Sequence, residues 1–259
     1  MPKITCIENF INKDYSHQCT FVIEPLETGQ AITLGSALRR TLLSDLTGYS
    51  ISGIRLNDLK NEYIPISSIR EDSLDLLLNF KEILFKESIL LYEKTKFLKN
   101  FCIPGYISVK GPKIITAGMI NLPKNTLTII NPEQYICTVT KQSDFFCELD
   151  IRLGKAYQTI EELKNLYKNE KILPFQSKTL LLDTAYSPVQ KVSFKVKLTY
   201  DTHGNLKEAL YLEILTRGTK TPKRCLNEGL KSLLDILYPL LTNPFFLNSK
   251  SAIASEFQI

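Results

Sequence analysis

The sequence predicts an α+β fold, and three observations carry the prediction. Segments that alternate apolar and polar residues, the period of a half-buried strand, lie at 17–24 and 146–153 and on both sides of a turn at 201–205. Two longer segments place apolar residues at helical spacing: Thr28–Leu46 and the stretch after Thr221. With 259 residues, 44% hydrophobic and 23% charged, the chain can bury a real core in one large domain or two modest ones. Disorder and collagen-like order are excluded by that composition, and no apolar run approaches the ~18–20 residues of a membrane span.

The elements follow in order. In 17–24, Cys19, Phe21 and Ile23 share one face, and Pro25 is expected to end the strand. Around the first helix, Ala31, Ile32, Leu34, Leu38, Leu42, Leu43 and Leu46 fill an arc of roughly 180°, against ~100° for an ordinary surface helix. Such a face is expected to bury against its own sheet and against something else. Arg39 projects within the arc and Arg40 roughly 100° from Arg39; each is either an interface anchor or a snorkelling surface arginine. Gly48 reads as the helix stop. A strand at Ile51–Leu56 and a polar turn at Asn57–Asn61 come next. Ser68-x-x-Glu71 reads as a capping box opening a helix at about Ile69–Phe80. Strands are expected at Ile83–Tyr92 and Gly105–Lys110, and turns over 111–134.

In 146–153, Cys147, Leu149, Ile151 and Leu153 point inward and Glu148, Asp150 and Arg152 outward. Residues 161–178, rich in Lys, Glu and Asn, read as a solvated excursion or domain edge. A hairpin follows, in which Val192, Phe194, Val196 and Leu198 alternate with polar residues on one strand and Leu210, Leu212 and Ile214 alternate on the return strand. Its lysine row, Lys191, Lys195 and Lys197, reads as a solvated face beside Glu208 and Glu213, or else as a nucleic-acid surface. Thr221 caps the last helix with Pro222 at its first position. Its leucines at 226, 230, 233, 237 and 240 make a seam spaced four, three, four, three, the pattern of helix packed on helix. Pro239 is expected to stop or kink it near Tyr238.

Catalytic signatures are missing from the sequence: no phosphate-binding glycine loop, no G-x-S-x-G and no H-E-x-x-H. The six cysteines have no C-x-x-C spacing and the histidines are only His17 and His203, so no metal site is expected and the cysteines read as reduced core residues. The net charge of +5 permits a nucleic-acid complex without requiring one. MPKITCIENF carries no signal core or presequence pattern, so the chain is expected to work in the reducing compartment where it is made.

Five segments in order carry a resemblance: FVIEPLETG with TLGSALRRTLLSDLTG, EDSLDLLLNFKEI, LLLDTAYSPVQKVSFKV, and LEILTRGTKTPKRCLNEGLKSLLDIL. They resemble the amino-terminal region of the bacterial and plastid RNA polymerase alpha-subunit family over residues 17–241. The resemblance implies two interdigitated domains. A dimerisation domain with two helices on an antiparallel sheet would use 1–47 and 178–241, and a mostly β domain would be inserted as 48–177. It implies a homodimer that holds the β and β′ subunits, meets DNA only through the complex, and contacts no membrane. This chain would need no cofactor of its own, since the Mg2+ of nucleotide addition belongs to β′. Arg40, Leu43, Ser187, Pro188 and Val189 would face β. Leu34, Leu38, Arg39 and Leu42, with Leu226, Leu230, Leu233 and Leu237, would form the dimer interface. The β′ counterpart would fall near Lys168–Lys178, where the resemblance is faint. Residues 242–259 are too few for the family's carboxy-terminal DNA-binding domain, which is expected to be lost or a separate chain. With 25 Lys against 7 Arg, a plastid-encoded origin is expected, otherwise a bacterial cytoplasm. A free-standing nucleic-acid-binding dimer is the competing function.

Overall fold

The computed structural model describes residues 2–56, 66, 68–88, 91, 102–170, 179–200 and 204–242. The expected turn at Asn57–Asn61, the tail after Thr242, the far end of the Ile83–Tyr92 strand and most of Lys168–Lys178 lie outside the described residues. Along the chain run β1 (Lys3–Ile11), β2 (His17–Leu26), α1 (Gln30–Ser44), β3 (Thr47–Leu56), α2 (Ser73–Lys81), β4 (Phe85–Glu87) and β5 (Cys102–Lys110). Then come β6 (Lys113–Thr116), a 3-10 turn (Ala117–Met119), β7 (Leu127–Ile129), β8 (Tyr135–Val139), β9 (Asp144–Lys155), β10 (Tyr157–Gln158) and α3 (Ile160–Glu170). The last elements are β11 (Leu180–Leu181), β12 (Thr184–Ala185), β13 (Val189–Tyr200), β14 (Leu206–Thr216) and α4 (Pro222–Leu241). The molecule is α+β with antiparallel sheets.

Two hydrophobic cores are built from non-contiguous chain. The first lies between the sheet β1-β2-β14-β13 and the helices α1 and α4. Cys19, Phe21, Ile23, Val192, Leu210, Leu212 and Ile214 line its sheet side; Ala31, Leu38 and Leu42 enter from α1, and Cys225 and Leu226 from α4. Strand periodicity puts every second residue on that face, as the alternation of 17–24 and of the hairpin predicts. The wide apolar arc of α1 also finds its explanation here, since the helix is covered by β13 and β14 beneath and by α4 alongside. Ile32 is the exception and is exposed. The second core joins the sheet β11-β3-β9-β5 to α2 and to the ladders β4-β7 and β6-β8. Ile51, Ile54, Leu76, Phe80, Ile107, Ile136, Cys147 and Ile151 fill it. The chain enters this core through β3 and returns to the first sheet at Val189.

Several local expectations change. β2 runs through Pro25 to Leu26. The ladder to β1 ends at Glu24, and the ladder to β14 shifts register between Glu208 and Leu210, so the missing proline N–H interrupts neither. Gly48 does not stop α1; it lies within β3. A Cβ there would overlap the Tyr186 carbonyl oxygen, so the glycine serves a close approach of two backbones. Ser68 does not cap α2, which starts at Ser73 after Asp72. Glu71 instead accepts the Thr138 N–H at 2.8 Å and the Tyr135 hydroxyl, fastening 68–72 beside β8. The reciprocal capping box is elsewhere: Glu162 N–H donates to Thr159 Oγ1 at 3.4 Å and Thr159 N–H to Glu162 Oε2 at 3.2 Å, opening α3. That helix occupies the first part of the expected 161–178 segment, the rest of which lies outside the described residues, and its buried Leu163 packs on Leu181. α4 continues past Pro239 to Leu241, because a proline so near the end removes one hydrogen bond from a turn that is already terminating.

Charged side chains also move inward. Asp150 and Arg152, expected outward, are buried. Arg55 donates to Asp150 Oδ1 at 2.9 Å and to Glu148 Oε2 at 2.8 Å. Burial pushes the Asp150 carboxyl above its usual range while Arg55 and Arg152 oppose that rise. Glu208, expected beside the lysine row, is buried at the start of α1. Its carboxylate accepts the Gly29 N–H at 2.9 Å and the Ala31 N–H at 3.1 Å. Gly29 has φ 87° and offers no side-chain cap, so a strand residue nearly 180 positions away supplies the anion that the helix start requires. Glu208→Ala is expected to cost about 2 kcal/mol by leaving buried donors unpaired. Glu208→Gln should recover part of that loss. Urea unfolding of both variants checks this, and wild-type stability of the alanine variant would refute it.

Candidate assembly surfaces

α4 divides into two halves. Pro222 occupies the first helical position and the Thr221 carbonyl accepts the Cys225 N–H at 3.0 Å; the Thr221 side chain makes no cap. Leu226 is buried against α1 within the same chain. At Gly229 a Cβ would stand 3.0 Å from Leu42 Cδ2, so the glycine lets the two helices meet closely. Leu230 and Leu233 are half-buried against the same core. Beyond them the seam is exposed among the described residues: Leu234 is 62% exposed, Leu237 54%, Leu240 55% and Leu241 74%. Twenty residues span about 30 Å at 1.5 Å each, so the exposed leucines lie on the half of the helix farther from its buried Leu226.

The residues of α1 separate in the same way. Leu38 and Leu42 are fully buried inside the chain, so neither leaves side-chain area for a partner; Leu34 and Leu43 are half-buried. Arg39 and Arg40 are both exposed. The buried positions 31, 35, 38, 41 and 42 define the covered side. Arg40 lies about 160° around the axis from Leu38, and Arg39 about 100°. Arg39 therefore falls outside the covered stripe rather than inside it. Leu43 and Arg40 project within roughly 60° of each other.

The segment Ser187-Pro188-Val189 is a pinned turn. Ser187 Oγ accepts the Val189 N–H at 3.3 Å and donates to the Val189 carbonyl at 3.1 Å, and the Pro188 carbonyl accepts the Arg217 N–H at 2.9 Å. Val189 is buried in the core that Leu43 borders, so this turn and the outer side of α1 flank one cluster. Pro188 is buried and only Ser187 keeps partial access.

A charged chain that the sequence reading missed fastens α4 to the second core. Lys220, almost wholly buried, donates to Glu228 Oε2 at 2.7 Å and to Thr47 Oγ1 at 3.3 Å. Arg224 Nε donates to Glu228 Oε1 at 2.9 Å, and its other end pairs with Glu87 of β4. The Arg224 guanidinium is held above its ordinary range by these carboxylates against the opposing effect of burial. The spacing of Arg224 and Glu228, one helical turn, was the available signal; Glu87, 137 positions distant, gave none.

Among the described residues no three His, Cys, Asp or Glu side chains are grouped to hold a metal ion. No described helix is long and apolar enough to cross a membrane.

Residues 54–187 match the RNA polymerase Rpb3/RpoA insert domain, a span running from the end of β3 to the pinned turn. A DNA-directed RNA polymerase subunit alpha from Rhodomonas salina is 35% identical over 99% of this chain and 76% of its own length. The chain belongs to the alpha-subunit family of DNA-directed RNA polymerase. Subunits of the same description from Guillardia theta and Gracilaria tenuistipitata var. liui are 35% and 34% identical, over 93% and 96% of this chain and 70% and 73% of their own lengths. The family match covers the second core, whereas the relatives also cover α1, the hairpin and α4. As an alpha subunit, the chain is part of a nucleotidyltransferase complex.

Proposed function

We propose that this alpha subunit is a homodimeric scaffold on which the β and β′ subunits assemble for DNA-templated transcription. The exposed apolar half of α4 supports the reading, because a contiguous row of four leucines on one helix face marks a surface for a partner to cover. A second copy offers the same row through a two-fold axis. In this reading 1–47 and 178–241 form the dimerisation domain and 48–177 the inserted domain. Leu34, Leu230, Leu233 and Leu237, with Arg39, meet the second copy, while Arg40, Leu43 and Ser187 face β. Nucleotide addition and its Mg2+ belong to β′, and DNA is met through the assembled enzyme. The algal sources of the relatives and the excess of lysine over arginine support work inside a plastid. The lysine row suits a phosphate track poorly: Lys197 lies over the Tyr211 ring at 4.4 Å, and Ser193 between the lysines is bonded to Glu213.

Arg40 supplies the test. An exposed guanidinium opposite the buried stripe can bind carbonyls or carboxylates of a partner bidentately. Arg40→Ala is expected to leave melting unchanged and weaken capture of β by about 2 kcal/mol, roughly thirtyfold. Arg40→Lys should restore capture in part, and Arg39→Ala should affect self-association more than capture. The measurement is a pull-down of β by each purified variant with melting recorded in parallel. Undiminished capture by Arg40→Ala would remove this residue from the β surface.

A further inference from the structure

Of the six cysteines, Cys6 departs from the expected use as a core residue: it is exposed, on a strand whose nine residues are all exposed. Its Sγ lies 2.9 Å from Sγ of the buried Cys19 on β2. Register explains the meeting. Cys6 stands opposite Phe21 and Asn9 opposite Cys19, with a bulge between Cys6 and Glu8. Cys19 and Phe21 share the helix-side face, so Cys6 projects from that face as well, diagonal to Cys19. The bulge adds a residue to β1 and bends it locally. The two sulfurs are therefore less than 1 Å from bonding distance, against ~2.05 Å for a disulfide.

We propose that Cys6 and Cys19 form a reversible thiol–disulfide site that fastens β1 to the sheet. The co-reactant is a small-molecule disulfide of the glutathione class. The Cys6 thiolate attacks one sulfur of that disulfide, forming a mixed disulfide and releasing the first thiol. Cys19, giving up its proton, then attacks Cys6 Sγ and expels the second thiol. Two protons and two electrons pass from the protein thiols to the small-molecule disulfide, which leaves as two thiols. Exposure makes Cys6 the first attacker. Burial and the neighbouring thiol push Cys19 up to about 12, which makes it the poorer first attacker; its position 2.9 Å from Cys6 Sγ is what assigns it the resolving step. The consequence is local: among the described strands β1 is an edge paired with β2, and its side chains are exposed, so it is a part of the sheet free to open. A covalent link at Cys6 removes that freedom.

The experiment equilibrates the purified 259-residue chain in mixtures of reduced and oxidised glutathione, followed by acid quench, intact mass and peptide mapping. The expected product is about 2 Da lighter, with a Cys6–Cys19 cross-linked peptide that is absent from Cys6→Ser. Amide hydrogen exchange over residues 3–11 is expected to slow at least tenfold in the oxidised form and to return on reduction. A glutathione adduct at Cys6 without ring closure, a disulfide between copies, or a 2 Da loss that persists in Cys6→Ser would overturn the site. Closure without slower exchange would overturn the fastening of β1.

Discussion

In the proposed homodimer, Leu237→Asp combined with Leu241→Asp is expected to separate the two copies without unfolding them. Both side chains are more than half exposed in a single chain, so the aspartates meet water and the fold loses little. In a two-fold contact each change occurs twice, and a carboxylate buried against leucine costs several kcal/mol unless it is paired. Self-association should weaken at least a thousandfold, about 4 kcal/mol. Sedimentation velocity across a concentration series measures this, with far-ultraviolet circular dichroism to verify the helices. A stable dimer at micromolar concentration would show that the distal half of α4 is not the interface. Leu226→Asp provides the contrast. That leucine is 4% exposed within its own chain, so the variant should unfold whatever the state of association.

Gly48→Ala is expected to be a severely damaging single-methyl change. The added Cβ would collide with the Tyr186 backbone carbonyl, and neither β3 nor the segment after β12 can yield as a long side chain would. Tyr186 is also buried, and its amide donates to the Ala156 carbonyl at 2.8 Å, which fixes the backbone that the methyl meets. A loss of about 3 kcal/mol is expected, or a fall in melting temperature of roughly 6–12 °C for a chain of this size. Differential scanning calorimetry decides it. A shift of less than about 2 °C would mean that the two backbones separate at little cost.

The main elements were legible because their periodicity is strong. Alternation placed β2, β9 and the β13–β14 hairpin, and helical spacing placed α1 and α4, since a face buried against one layer imprints its period on the sequence. Boundaries read from single residues fared less well. Pro25, Gly48 and Pro239 look like stops in the sequence, but each is tolerated or required by what lies beside it. A capping-box pattern stands at Ser68 and equally at Thr159; the first segment is held by β8, whereas the second opens a helix whose Ile160 N–H also donates to Asp183 at 2.8 Å. For the candidate surfaces, the resemblance supplied residue positions and the structure supplied their exposure. The leucine seam looked uniform in sequence, yet its first half is consumed by α1 and its second half is open.

By itself the sequence determined the α+β class, the two amphipathic helices, the absence of familiar catalytic signatures and the family. Each of these is written in local pattern or in motifs of contiguous residues. Only the tertiary structure decided which apolar residues remain for a partner, and which charges are buried. Glu208 reaches the start of α1 from nearly 180 residues away, Arg224 meets Glu87 on another core, and Cys6 meets Cys19 through a bulge. Such pairs depend on sheet order and register, which bring distant residues together and which no local period encodes.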